Sequence, residues 1–77
     1  MPVIRRFGAV SLRIYADDHR PPHFHLVSAT SEAMVAIADL RVIAGALRRG
    51  EAAEALEWAR ANRDLLAREW ARLNERG

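Results

Sequence analysis

The stretch Asp17-Asp18-His19-Arg20-Pro21-Pro22-His23-Phe24-His25 holds all three histidines of the chain within seven residues. Histidine changes charge near neutral pH and is the commonest metal ligand. Two carboxylates stand before the histidines and two prolines sit between them. No other segment gathers groups able to bind metal or move protons near neutrality. Any chemistry this chain performs is expected to lie here.

Three kinds of chemistry fit these residues. The first is metal binding. His23 and His25 are two apart in an extended segment, so their side chains share a face, with Cα atoms roughly 6.5–7 Å apart. That spacing lets two imidazoles converge on one divalent transition metal. His19, Asp17 or Asp18 would add ligands from the loop, leaving one coordination position open, as in catalytic sites. The second is metal-free acid–base catalysis of phosphodiester transesterification. His19, His23 or His25 would exchange protons, with Arg20, Arg13 or Arg5 stabilising the phosphorane charge. The third involves no chemistry. The aspartates then turn the loop through hydrogen bonds to nearby backbone N–H groups, and the histidines at the strand start satisfy loop carbonyls. With Phe24 and Leu26 inward, the histidines face outward or against a helix.

The rest of the composition narrows the setting. Seventy-seven residues are expected to form one domain, 1–77. A chain this short buries roughly 60% of its unfolded surface, so a homodimer or a tight partner would add needed stability. There is no cysteine, which excludes disulfides and thiolate ligands. All twelve basic residues are arginine, so lysine Schiff-base chemistry is excluded. Residues 1–50 carry seven arginines against four acids, and residues 51–77 carry five against six. The positive excess therefore surrounds the histidine segment, which permits an anionic partner. The N-terminus lacks a signal-peptide apolar stretch and no run approaches a membrane span, so a cytoplasmic protein without membrane contact is expected.

The elements that must position the histidines read as strands followed by helix. Val3 to Phe7 is a short strand punctuated by Gly8. Val10, Leu12 and Ile14 alternate with Ser11, Arg13 and Tyr15, a period of two. Residues 17–22 are a proline-stiffened loop. His23 to Val27 and Glu32 to Ile37 pair as a hairpin across Ser28–Ser31. Leu40 to Ile43 forms a last short strand closed by Gly45. From about Arg48 to residue 74 strong helix formers dominate, and Leu56, Ala59, Leu66, Trp70 and Leu73 form one apolar stripe. Asn62, Arg63 and Asp64 interrupt it, as a bend or as a wet patch. A continuous helix of this length would reach nearly 40 Å. Its distal part, with Trp70 and Leu73, would then overhang and meet a partner, unless Trp58 and Trp70 are ordinary core aromatics. The expected architecture is α+β: an antiparallel sheet of four to five strands packed by one long C-terminal helix.

Several segments together resemble the small bacterial proteins grouped as domain-of-unknown-function family 4160. They are the opening Met1-Pro2-Val3-Ile4-Arg5-Arg6-Phe7-Gly8, the central Ile14-Tyr15-Ala16-Asp17-Asp18-His19-Arg20-Pro21-Pro22-His23-Phe24-His25, the pair Glu32-Ala33 before an aliphatic strand, and Leu56-Glu57-Trp58-Ala59 with the Trp70 region. The chain departs from the family in lacking a glycine at Ser28–Ser31 and in carrying Arg48 where many members have proline. The resemblance implies a small β-then-α protein of a toxin–antitoxin-like module. Such a protein would act through contact with a cognate small protein and on RNA. It marks His19, His23 and His25 as characteristic positions. It brings no assigned cofactor or catalytic residue. A metal-binding protein and a non-enzymatic interaction module stand beside it as alternatives.

Overall fold

The computed structural model describes residues 3–16 and 18–75. Five antiparallel strands run in chain order: β1 (Val3–Phe7), β2 (Val10–Arg13), β3 (His23–Val27), β4 (Glu32–Ala36) and β5 (Val42–Gly45). Two helices follow, α1 (Arg49–Ala61) and α2 (Arg63–Asn74). The fold is α+β, as the alternation of the first half and the helical stripe of the second require.

The connections explain the register. Gly8, at φ +59°, supplies the positive φ of the two-residue turn that sets Phe7 opposite Val10. The β3–β4 turn closes without glycine because a serine side chain does the work. Ser28 N donates to Ser31 O at 2.9 Å, and Ser31 N donates to Ser28 Oγ at 3.1 Å. This pins His25 opposite Met34 and Val27 opposite Glu32.

The last strand lies two residues further along than the expected Leu40–Ile43. Leu40 sits at φ +60°, a left-handed conformation that turns the chain at this point, and pairing begins at Val42. It ends at Gly45, also left-handed at φ +71°, where a Cβ would run into the Glu32 carbonyl oxygen. Gly45→Ala therefore meets both a disfavoured φ and a backbone clash. It is expected to cost about 2 kcal/mol or more, read as a lowered denaturation midpoint with an unchanged slope.

One face of the sheet carries the main core. Val10, Leu12, Ile14, Phe24, Leu26 and Val35 are buried there against Ala55 and Ala59 of α1 and Leu66 and Trp70 of α2. Strand alternation then sends Ser11, His23 and His25 to the opposite face, where they too are buried. His23 and His25 thus face neither solvent nor the helices. Contacts from the loop between β2 and β3 cover them.

The single long helix expected over 48–74 is instead two adjacent helices. Asn62, at φ −127° and ψ 29°, leaves helical geometry. Its side-chain Nδ2 donates back to Trp58 O at 2.8 Å, while its own carbonyl accepts from Leu66 N at 3.0 Å. One asparagine thereby ends α1 and starts α2. The break lets α1 lie on β2 while α2 lies on β3. Trp70 consequently sits in the core at 2% exposure rather than on an overhanging face. Trp58 packs half-buried against Phe7, their ring centroids 5.9 Å apart. No helix of the described residues is long and apolar enough to cross a membrane.

Candidate metal centre

His23 and His25 are fixed by β3, a central strand hydrogen-bonded on both sides. Asp18 reaches them from the β2–β3 loop. Its Oδ2 lies 2.9 Å from His23 Nε2 and 3.0 Å from His25 Nε2. The three ligand-type atoms form one cluster, all within 4.8 Å of each other. Tyr15 covers the group from the loop, its ring centroid 4.5 Å from that of His25.

The outer nitrogens of both imidazoles are already committed. His23 Nδ1 lies 2.7 Å from Pro21 O, and His25 Nδ1 lies 2.9 Å from Glu32 Oε2. A carbonyl or carboxylate oxygen only accepts, so each Nδ1 must donate. In neutral imidazole the Nε2 atoms then carry lone pairs, and both face the Asp18 carboxylate. Lone pairs facing Asp18 Oδ2 at 2.9 and 3.0 Å repel it unless a cation stands among them. A proton on His25 Nε2 relieves part of this, because that nitrogen is aligned for a hydrogen bond to Asp18. It does nothing for His23. His23 is 1% exposed, and its Nε2, though 2.9 Å from Asp18 Oδ2, is buried without a hydrogen-bond partner among the described residues. Unsatisfied buried nitrogens are rare in native proteins and call for an explanation.

The residue set fits a divalent transition metal. Ligand atoms about 2.0–2.1 Å from one ion lie about 3.3 Å apart in a tetrahedron and about 2.9 Å apart at adjacent octahedral corners. The two Asp18–histidine separations match this range. The contacts from Nδ1 to Pro21 and Glu32 are those that orient metal-binding histidines and fix their tautomer.

The other Asp18 oxygen faces His19. Oδ1 accepts from the His19 backbone N–H at 3.0 Å and lies 3.1 Å from His19 Nδ1. Burial raises the Asp18 carboxyl, but hydrogen bonds from the His25 ring and from the ring and backbone of His19 outweigh it. The carboxyl is held down from 3.8 to about 2. A depressed carboxyl adds stability above its ordinary value that is lost as pH falls through its folded value. In chelator-treated protein, stability is therefore expected to drop between about pH 4 and pH 2. In Asp18→Asn that contribution should be missing, seen as a flatter melting-temperature profile over the same window.

The remaining candidates lie apart from the cluster. His19 is at the rim, its side chain 76% exposed and its ring centroid 5.5 Å from that of His23. Arg20 turns away, pairing with Glu75 and lying over the Trp70 ring at 5.6 Å. Arg13 is the cross-strand neighbour of His25, with its Nε donating to Ser11 Oγ at 2.9 Å. Arg5 stacks on Phe7 and Trp58. Asp17 lies outside the described residues.

Residues 10–71 match the family model described as a domain of unknown function, DUF4160. The chain belongs to that family. No curated protein and no solved structure matches it. The DUF4160 match covers Asp18, His23, His25 and Glu32 and stops short of Asn74. Glu32 and Asn74 are site neighbours that motif reading misses. Glu32 was within reach, because the hairpin register puts it on the His25 face. Asn74, whose side chain accepts from Asp18 N and donates to Tyr15 O at 3.0 Å, comes from 56 residues away and has no local signal.

Proposed function

We propose that this protein binds one divalent transition-metal ion through Asp18 Oδ2, His23 Nε2 and His25 Nε2. The observation that carries the reading is the buried His23 Nε2, without a hydrogen-bond partner among the described residues and beside a carboxylate, its tautomer set by Pro21 O. Two imidazoles and one carboxylate leave coordination positions for water or substrate, as catalytic metal sites do. His19 stands at the rim, where rotation of an exposed side chain would bring it to the ion or to ion-bound water. Arg20 anchors the loop through α2. The family likeness adds a setting rather than a mechanism: a toxin–antitoxin-like module, with a cognate small protein, RNA and a second copy of the chain as partners.

Calorimetric titration of untagged, chelator-treated protein with Zn²⁺, Co²⁺ or Ni²⁺ tests the reading. One ion per chain is expected, with protons released on binding. His23→Ala should weaken binding by more than the 10–100-fold that changes in outer hydrogen-bond partners cost. Binding that is absent, or unchanged in His23→Ala/His25→Ala, would rule the reading out.

A further inference from the structure

We propose that Asn74 is the positioning residue that holds Asp18 in place as a ligand, and that metal binding in turn fastens the last turn of α2. This rests on the metal reading above and goes beyond it.

The two halves of the site differ in rigidity. His23 and His25 are built into a strand paired on both sides. Asp18 belongs to no ladder and sits on a loop. Aspartate has a single methylene, so its carboxylate follows any shift of its backbone. What locates that backbone is the end of α2. Asn74 Oδ1 accepts the Asp18 N–H. Asn74 Nδ2 donates to Tyr15 O at 3.0 Å and to Trp70 O at 3.1 Å, which fixes the asparagine rotamer against its own helix. One side chain thus ties both ends of the segment 15–18 to α2. The neighbouring Arg20–Glu75 pair and the Arg20–Trp70 stack grip the same loop two residues later. Among the described residues the Asn74 side chain bonds to Asp18 N, Tyr15 O and Trp70 O and to none of the three ligand atoms, so its effect on the ion must pass through Asp18. Coupling of this kind is reciprocal: if the latch favours the ion, the ion favours the latch by the same factor.

Zn²⁺ dissociation constants for full-length wild type, Asn74→Ala, Asp18→Ala and the double variant test this. Asn74→Ala should bind about 10–100-fold more weakly than wild type. In the Asp18→Ala background the same change should have no further effect on affinity. A merely structural role would instead lower stability and weaken binding by the same factor in both backgrounds, and that result overturns the proposal. A second measurement needs no variant. Exchange of the Asp18 amide proton in wild type, followed by NMR, should slow at least about tenfold on saturation with Zn²⁺. Unchanged exchange overturns the proposal even if Asn74→Ala fails to fold. Wild type that binds no Zn²⁺ removes the metal reading and this inference together. Wild type and Asn74→Ala that bind equally remove this inference alone.

Discussion

Zn²⁺ at a hundredfold excess over its dissociation constant is expected to raise the melting temperature of the wild-type chain by about 10–20 °C. An ion that binds only the folded state stabilises it by about 2.7 kcal/mol at that concentration. For a domain of 60–100 residues each kcal/mol moves the midpoint by about 4–8 °C. Small domains have total stabilities of only roughly 5–15 kcal/mol, so the ion contributes a large share. His23→Ala and His25→Ala should show no comparable shift. The apo proteins need not be equally stable, because truncating either histidine leaves Pro21 O or Glu32 without its donor. The comparison is therefore the shift within each variant, followed by thermal denaturation with and without the ion. A wild-type midpoint that does not move would count against a specific site.

The second large effect concerns the core. Trp70→Ala is expected to destabilise the chain by about 3–5 kcal/mol. Trp70 is 2% exposed and joins the sheet core to the loop, because Arg20 lies over its ring and Asn74 bonds to its carbonyl. Truncation opens a cavity and removes the ring on which Arg20 of the loop lies. Trp70→Phe should cost much less. The indole Nε1 is buried without a partner among the described residues, so phenylalanine removes an unsatisfied donor along with the lost volume. Chemical denaturation of both variants checks the pair. A cost for Trp70→Phe as large as for Trp70→Ala would show that the indole nitrogen matters after all.

Much of this architecture was legible in the sequence because it follows local rules. The alternation of Val10, Leu12 and Ile14 marked β2, and the turn at Ser28–Ser31 set the hairpin that carries His23 and His25. The shared face of those two histidines followed from strand periodicity alone. Less legible were features decided by tertiary packing. Asn62 breaks the helix because its side chain returns to Trp58 O and because a straight helix would run past the sheet. Leu40 takes a left-handed conformation that its own identity disfavours, which shifts β5 toward Gly45. The selection of Asp18 and the exclusion of Arg20 from the cluster depend on α2. Its last turn holds the Asp18 backbone through Asn74, and Glu75 just beyond it draws Arg20 away. Neither effect leaves a trace in the spacing of the histidine segment.

The central claim is that His23 and His25 present their Nε2 atoms, together with Asp18, to one metal ion. Histidine ¹⁵N NMR of the untagged protein tests it most directly, because it reads tautomer and ligation at each ring nitrogen. The account predicts that one equivalent of Zn²⁺ shifts the Nε2 resonances of His23 and His25 while both rings keep a proton on Nδ1. Nε2-protonated rings in the presence of the ion, or Nε2 resonances unmoved by a full equivalent of Zn²⁺, would contradict it.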